Sequence, residues 1–141
     1  MSLTNRSEFA SLECSVLAAR QSYKMGKVTA RDIDVAEVHD SFTSAEIINY
    51  EDLGFCRRGE GGKFIENGQS YIGGRMPVNV DGGLLAKGHP VGATGAAHII
   101  SIARQLRNEA GPTQVPDAKI GLAHNIGGIG MYAVCTVLHA S

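Results

Sequence analysis

Apolar and polar residues near the start of the chain follow a helical period. In the segment SEFASLECSVLAARQSYKMG the apolar positions fall near a spacing of three and four residues: Phe9, Leu12, Val16, Leu17 and Ala19. This spacing places them on one face of an α-helix. Ser7 or Thr4 could cap the amino end of this helix, and Gly26 supplies a stop. The pattern therefore predicts a first helix that ends at Gly26.

A strand and a second helix are predicted next. The segment DIDVAEVHD alternates apolar with acidic residues and ends in polar groups, which is typical of a strand that leads into a site. The segment SAEIINYEDLG is predicted to form a short helix closed by Gly54. Residues 56–81 follow neither period, because their glycines are scattered among charges and their apolar residues are isolated. We interpret them as an ordered excursion, since long loops inside compact domains are usually functional or mobile.

The clearest helical pattern lies in TGAAHIISIARQLRNEAG, where Ile99, Ile102 and Leu106 share one face. Thr94 is a candidate cap for this helix, and Gly111-Pro112 is a candidate end.

Two strands are predicted at the carboxyl end of the chain. AKIGLAHN and GMYAVCTVLHA are joined by IGGI, which favours an antiparallel pair. The second segment is apolar and rich in β-branched residues, which predicts a buried strand. The order helix, strand, helix, long loop, helix, strand, strand indicates an α/β layered fold, although such units normally begin with a strand.

Composition limits the function classes. The chain has 141 residues, enough for one domain, with 43% hydrophobic residues and a net charge of -1. It lacks the basic excess that nucleic-acid binding requires and any apolar run long enough for a membrane span or a signal peptide, so we expect a cytoplasmic protein. Three cysteines without a paired spacing argue against a disulfide framework and against a metal site.

Three polar clusters lie where apolar segments end, and side chains at such ends can converge in an open α/β sheet. They are His39-Asp40-Ser41-Phe42, Gly88-His89-Pro90 within VDGGLLAKGHPVGATG, and His124-Asn125 followed by Gly127-Gly128. Histidine titrates near neutral pH, so each cluster is a candidate for proton transfer. The alternative for each is a histidine that only stabilises its loop through hydrogen bonds. The many glycines around His89 would let a ligand come close to the backbone.

These motifs resemble the carboxy-terminal half of a thiolase, specifically the sterol-carrier-protein type and its archaeal and bacterial relatives. The resemblance rests on VAEVHDSFTSAEIINYEDLGFC, GGLLAKGHPVGATGAAHIISIARQLR and LAHNIGGIGMYAVCTVL, in the family's order and spacing from about residue 7 to the end. It implies the fold of that half, an α/β fold with a mixed sheet layered with helices, here with its first strand missing. It also implies that residues 1–141 are a partial carboxy-terminal domain whose amino-terminal thiolase domain is absent.

The resemblance implies Claisen condensation or thiolytic cleavage of 3-ketoacyl-CoA, with the acyl group passing through a nucleophilic cysteine. His89 matches the GHP histidine, which in the family activates that cysteine and helps to hold the thioester oxygen. His39 matches the HDxF histidine, which orients a water in the oxyanion hole. Gly127 matches a glycine whose N–H lies near the second oxyanion site. His124 and Asn125 occupy the place of the second catalytic cysteine of ordinary thiolases.

On this resemblance the catalytic candidates are His89, His39 and His124, and the substrate and oxyanion region comprises Asp40, Ser41, Phe42, Gly88, Pro90, Asn125 and Gly127. Coenzyme A or acyl-CoA is implied as a substrate, with no permanently bound cofactor and no metal. The candidates for contacts with the CoA phosphates are Arg57, Arg58 and Lys63. The implied partners are the amino-terminal thiolase domain and further copies of the chain in a homo-oligomer.

The sequence departs from the family's pattern at Ser41, where sterol-carrier-type thiolases have a cysteine that serves as the second acid/base. A hydroxyl is a far weaker acid than a thiol. His124, or a water held by His39, could take that role, or the chemistry could be the related retro-aldol cleavage of CoA esters.

A second departure concerns the nucleophile, because the nucleophilic cysteine belongs to the absent half. Cys14 is predicted to lie mid-helix and is interpreted as a packing residue, as is Cys135 in the last strand, and nothing marks Cys56 as activated. Two hypotheses remain. The first is an enzyme domain that is inactive without its amino-terminal half, and the second is a non-catalytic module for acyl-CoA binding or assembly. Retention of all three loop motifs favours the first.

Overall fold

The computed structural model describes residues 8–141 as a three-stranded sheet covered by helices. The elements are α1 Glu13–Gly26, β1 Val35–Glu37, α2 Thr43–Asp52, α3 Gly61–Glu66, α4 Gly83–Lys87, α5 Thr94–Leu106, β2 Ile120–Gly127 and β3 Tyr132–His139, with a 3-10 turn at Gly111–Thr113. The strand order is β1-β2-β3, with β1 parallel to β2 and β2 antiparallel to β3. The sheet is therefore mixed, and the predicted α/β class is confirmed.

The two faces of the sheet are packed by different helices, because successive side chains of a strand point to opposite faces. Ala36 and Leu122 belong to the larger apolar cluster, which includes side chains of α1 and α2. Val35 and Ala123 belong to a second cluster around Ile102 of α5. All three residues of β1 are consequently buried, although the sequence alternates apolar and acidic positions there.

Helix α1 ends at Gly26 as predicted, but it begins at Glu13, later than expected. Its start is fixed by a tertiary contact, since the buried carboxylate of Asp52 accepts bonds from Ser11 Oγ at 2.8 Å and from the Leu12 N–H at 2.7 Å. The cap residue is Leu12, which offers no side-chain cap. The proposed caps Thr4 and Ser7 lie outside the described residues.

Helix α5 forms where the pattern predicted it, and both predicted boundaries need correction. Thr94 is the first helical residue rather than the cap, and its hydroxyl bonds elsewhere. The helix ends at Leu106, before Asn108 with its left-handed φ of 57°. Gly111-Pro112 forms the separate 3-10 turn.

Two further predictions are wrong in part. Residues 56–81 contain the short helix α3, and Val78 makes an isolated parallel bridge to Ala36 at the edge of the sheet. Strand β3 is not fully buried, because no strand is described on its outer edge and Val134 is 64% exposed. Among residues 8–141, no helix combines the length and apolar character needed to cross a bilayer.

Candidate active site

A cavity of about 530 Å³ lies at the carboxyl ends of β1 and β2. Its polar lining comes from His39, Asp40, Ser41 and His89. The apolar and glycine lining comprises Leu12, Phe42, Ala45, Leu84, Leu85, Val91, Ile126, Gly127, Gly128, Ile129 and Gly130. Two of the three predicted polar clusters therefore bring a histidine to this cavity at the predicted edge of the sheet, and the third contributes Gly127 and Gly128 to the lining.

The His39 ring has a defined hydrogen-bonding pattern. Its Nδ1 lies 2.5 Å from Asn125 Oδ1, and the same oxygen accepts the Ile126 N–H at 3.0 Å. An atom that accepts a backbone N–H is the amide oxygen, so Nδ1 of His39 must donate to it. The proton of the neutral ring is thereby placed on Nδ1, and Nε2 keeps its lone pair.

His89 reaches the cavity from the glycine-rich stretch and has the same pattern. Its Nδ1 lies 2.7 Å from Thr94 Oγ1, and that hydroxyl donates to the Pro90 carbonyl at 3.2 Å. A carbonyl can only accept, so the hydroxyl proton is used there and Nδ1 of His89 donates to Thr94. Nε2 of His89 is again the nitrogen with a free lone pair. The sequence analysis treated Thr94 as a helix cap and missed this role.

The two rings touch, although they come from loops 50 residues apart in sequence. Their centroids are 4.9 Å apart and their planes meet at 85°, an edge-to-face arrangement. Burial lowers the pKa of His39, with the Asn125 bond opposing this shift and the neighbouring His89 reinforcing it. The neutral form of the His39 ring is therefore favoured.

Asp40 positions the chain segment that carries His89. Its buried carboxylate accepts the Leu84 N–H at 2.8 Å at the start of α4. Helix α4 then leads through Gly88, at φ 79° and ψ 172°, into His89. Gly83 lies against Asp40 so closely that a Cβ there would be 2.1 Å from Oδ2. The sequence analysis described this segment as a loop and missed α4.

The other end of α4 is fixed by charged side chains around the buried carboxylate of Glu37. Lys87 Nζ forms an ion pair with Asp81 and lies 3.4 Å from Glu37 Oε2. Ser101 Oγ donates to Glu37 Oε1 and Asp81 Oδ2, each at 3.1 Å. Burial raises the pKa of Glu37 to about 7, and the Asp81 charge adds to this effect. Asp40 and Lys87 thus hold the two ends of α4 and thereby fix the position of the backbone that leads into His89.

The remaining predicted site residues have different positions. Ser41 is partly buried in the cavity wall, whereas Phe42 is 72% exposed at its mouth. Gly127 lines the cavity at the end of β2. Pro90 acts through its carbonyl, which accepts the Thr94 hydroxyl.

His124 and Asn125 point to opposite faces of β2, because they are neighbours in a strand. Asn125 faces α5 and bonds His39, with its Nδ2 against Gly95. His124 faces α1, where its Nε2 lies 3.0 Å from Ser15 Oγ, and its side chain is 0% exposed. It does not line the cavity. The structure thus separates His124 from the cavity, and Asn125 is the residue of this pair that positions His39.

Two buried histidines make the stability of the fold depend on pH. Burial is the main cause that lowers the pKa of His98 to about 4 and of His124 to about 3. The unfolded chain takes up these protons below about pH 6.5, while the folded chain does not, so stability is lost as the pH falls from 6.5 towards 4. Glu37 opposes this loss, because its raised pKa makes the folded state bind a proton more readily below pH 7.

We expect the net slope of the unfolding free energy to be about 1.4 kcal/mol per pH unit between pH 6.5 and 4.5. Chemical denaturation at pH 7, 6 and 5 measures it. The variant His124→Gln should reduce the slope, and His139→Gln, at an exposed position in β3, should leave it unchanged. Equal slopes in the unmodified protein and both variants would show that His124 is not a cause of the pH dependence.

The cysteines do not supply a nucleophile to the cavity. Cys14 lies in the first turn of α1 rather than mid-helix, and its Sγ donates to the Gly130 carbonyl at 3.2 Å. Burial raises the pKa of Cys135 to about 12 and of Cys56 to about 11, which keeps both as thiols. No group of three His, Cys, Asp or Glu side chains within residues 8–141 is arranged to hold a metal ion.

Comparison with known proteins shows to which family the chain belongs. A family model described as "Thiolase C-terminal domain-like" matches residues 1–140. The chain belongs to the thiolase family. This thiolase domain is 49% identical over 130 residues to an acetyl-CoA acetyltransferase of Methanothermobacter thermautotrophicus, covering 92% of the chain and 34% of that protein. It is 49% identical over 120 residues to sterol carrier protein 2 of Bos taurus, covering 85% of the chain and 22% of that protein.

Two further matches show the range of named activities among relatives of the thiolase domain. A benzoylsuccinyl-CoA thiolase subunit, BbsB, of Thauera aromatica is 41% identical over 111 residues, covering 78% of the chain and 29% of that protein. Among solved structures, the "Ltp2-ChsH2(DUF35) aldolase" superposes with a TM-score of 0.83 at 32% identity, covering 96% of this chain and 34% of that one. The thiolase domain thus spans about a third or less of the length of these relatives. The carboxy-terminal thiolase fold inferred from the sequence motifs is confirmed.

Proposed function

We propose that this chain is the carboxy-terminal domain of a CoA-dependent acyltransferase that makes or cleaves a carbon-carbon bond beside a thioester. The observation that carries the proposal is the contact between His39 and His89 at 4.9 Å inside a largely apolar cavity. The similar acetyl-CoA acetyltransferase supports the acyl-CoA class. The predicted assignments of His39 and His89 as catalytic residues are retained in this proposal.

His89 acts as the base in this mechanism. Its Nδ1–H donates a hydrogen bond to Thr94 Oγ1, so Nε2 can accept a proton from a thiol. We propose that this thiol is a cysteine on an amino-terminal thiolase domain, because none of the three cysteines of this chain lines the cavity.

His39 stabilises charge on the thioester oxygen through a water. With Nδ1 donating to Asn125, Nε2 can accept one water proton, and the second water proton is then free for the oxygen on which enolate charge develops. The neutral state of His39 matters here, because a protonated ring could not accept that bond. Gly127 lies at the same cavity and is proposed for the second oxyanion contact.

The mouth of the cavity supports the proposal that a partner domain covers it. Its rim carries exposed apolar side chains: Phe42, Leu85, Val91 and Ile129. Val91 and Ile129 are each 81% exposed, and contiguous exposed apolar groups mark interaction surfaces. We propose that the amino-terminal domain and the acyl and pantetheine parts of the substrate cover this rim. Activity then requires both halves, and assembly into a homo-oligomer remains part of this proposal.

Retro-aldol cleavage of a CoA ester is the second candidate, and Ser41 favours it. The hydroxyl of Ser41 lies in the cavity wall where an acid/base thiol would serve Claisen chemistry. The structural match to an aldolase at 32% identity supports the same alternative. This reaction needs a base for the 3-hydroxyl proton and stabilisation of the enolate, which His89 and His39 could provide without an acylated cysteine.

The variant Ser41→Cys separates the two activities in the protein that contains both halves. If the proposed acyltransferase activity lacks only an efficient proton donor, a thiol at this position should raise CoA-dependent cleavage of 3-ketoacyl-CoA about tenfold or more. Steady-state release of acyl-CoA measures this rate. A matched control is Ser44→Cys, which places a thiol on the exposed side of α2 outside the cavity.

The 3-hydroxyacyl-CoA ester is assayed beside the 3-ketoacyl-CoA ester. CoA-independent cleavage of the 3-hydroxyacyl ester by the unmodified protein, with no gain on the ketoacyl ester in Ser41→Cys, would favour the aldolase. If neither reaction is detected while acyl-CoA still binds, the chain belongs to a non-catalytic acyl-CoA-binding module.

A further inference from the structure

A second cavity, of about 570 Å³, lies away from the histidine pair. Its lining comprises Arg31, Gly54, Phe55, Cys56, Arg57, Glu60, Lys63, Phe64, Asn67, Gln69 and Arg75. None of these residues lines the histidine cavity. Arg31 precedes the first residue of β1, whereas His39 follows its last residue, so the two cavities lie at opposite ends of that strand. We call this second site the basic cavity.

Four cationic side chains surround the basic cavity: Arg31, Arg57, Lys63 and Arg75. Glu60 is the one carboxylate in its lining. The ion pairs described for residues 8–141 involve Arg58, Lys87 and Arg107, and none of the four cations of the cavity. The chain as a whole carries a net charge of -1, so this is a local excess of positive charge rather than a general property of the surface.

Some of the side chains that line the basic cavity are fixed by hydrogen bonds or burial. The Arg75 guanidinium donates to the buried carbonyl of Phe55 at 2.6 Å, which fixes its position and leaves its other N–H groups available. Phe55 and Phe64 are buried and form an apolar floor. The neighbouring carboxylate of Glu51 is bound to the Gly61 N–H and is not in the lining.

The neighbouring residues Arg57 and Arg58 make different contacts. Arg58 bonds Asp52 at 2.5 Å and Ser11 Oγ at 2.9 Å and thereby fixes the start of α1. Arg57 faces the basic cavity instead. Of the three side chains predicted to contact CoA phosphates, Arg58 thus has a structural role, and Arg57 and Lys63 line the basic cavity rather than the histidine cavity.

We propose that the basic cavity binds a small phosphorylated metabolite at a site separate from the acyl-CoA site. Guanidinium groups present parallel N–H donors that match phosphate oxygens, and an ammonium group adds a point charge. The volume exceeds what one inorganic phosphate needs and lies within the range of small-molecule sites. A bound polyanion would also relieve the mutual repulsion of the four cations.

Cys56 provides a direct readout of occupancy, because it lines the basic cavity. We would measure its alkylation rate in the full chain at about pH 9, where a larger share of this weakly acidic thiol is ionised. Mass spectrometry of the Cys56 peptide separates it from Cys14 and Cys135. Pyrophosphate is the probe, and sodium chloride at equal ionic strength is the control for screening.

Pyrophosphate should slow Cys56 alkylation with a saturable concentration dependence. The double variant Arg57→Gln, Lys63→Gln should need about tenfold more pyrophosphate for the same protection, because two charged contacts are lost. The matched double variant Arg104→Gln, Lys119→Gln removes the same charge from exposed positions outside the cavity and should bind as the unmodified chain does.

The proposal is overturned if sodium chloride protects as well as pyrophosphate, or if the two double variants respond alike. It is also overturned if CoA protects Cys56 at concentrations about a hundredfold below pyrophosphate, since the cavity would then hold the phosphates of the substrate. The variant His89→Ala should retain pyrophosphate binding. Pyrophosphate binding would therefore stand even if the proposed acyltransferase activity were absent. Likewise, a failure to bind pyrophosphate would not count against that activity.

Discussion

Replacing His89 with alanine is expected to lower the turnover number of the proposed two-domain acyltransferase about 10²–10⁴-fold, the range for loss of a general base. The His89 side chain is exposed at the cavity, so the unfolding free energy should change by no more than about 0.5 kcal/mol. Thr94→Val should cause a smaller loss, about tenfold, because the ring remains but its tautomer and orientation are no longer fixed. Steady-state kinetics with a 3-ketoacyl-CoA ester measure both.

The Thr94→Val variant shows whether Thr94 positions the His89 ring or only stabilises the fold. A lost tautomer preference should lower kcat more than it changes KM and should alter the pH profile of kcat, whereas a destabilised helix would lower the amount of active enzyme. His139→Ala is the matched control on an exposed histidine of β3, and it should retain full activity. If His89→Ala retains more than a tenth of the activity, His89 is not the base and the proposed mechanism fails.

Replacing Gly83 with alanine is expected to destabilise the fold by about 2–4 kcal/mol. Gly83 has φ +61°, which strains any residue with a Cβ, and the new methyl would lie 2.1 Å from Asp40 Oδ2. The carboxylate would have to move away from the Leu84 N–H that it accepts in the folded state. Chemical denaturation of the two proteins at pH 7 gives the difference.

Gly111→Ala separates the two causes of this loss. Gly111 has nearly the same φ, +59°, but no atom within 4 Å of an added Cβ. It should therefore lose only about 1–2 kcal/mol, the cost of the left-handed conformation. Equal losses in the two variants would show that the contact between Asp40 and α4 contributes nothing. Gly83→Ala should also lower activity beyond its effect on stability, because α4 leads directly into His89.

Much of the fold could be predicted from hydrophobic periodicity. The long helix α5 and the hairpin of β2 and β3 have strong local patterns, and both formed where expected. The errors lie at positions fixed by tertiary contacts that no local pattern shows. Helix α1 begins where Asp52 binds the backbone of Leu12, 40 residues earlier in the sequence, and α4 forms because Asp40 accepts its first N–H groups.

The candidate site was predicted in outline, and the assignment of His124 could have been refined from the sequence. Neighbouring residues of a strand face opposite sides, so His124 and Asn125 cannot both reach one cavity from β2. The partners of the histidine rings were not predictable, since Thr94 had an ordinary local explanation as a helix cap. The residues of the apolar rim could not be predicted, because Val91 and Ile129 lie in glycine-rich turns where neither helical nor strand periodicity applies.

The edge-to-face contact of His39 and His89 limits how much charge the cavity can hold. A proton accepted by His89 during a reaction places a positive charge next to the His39 ring, and that charge opposes a second protonation. A second proton on the pair is therefore disfavoured. As a result, an intermediate in which His89 has become an acid still finds His39 neutral, so the donor of a proton and the acceptor of a water bond coexist without any movement of the backbone.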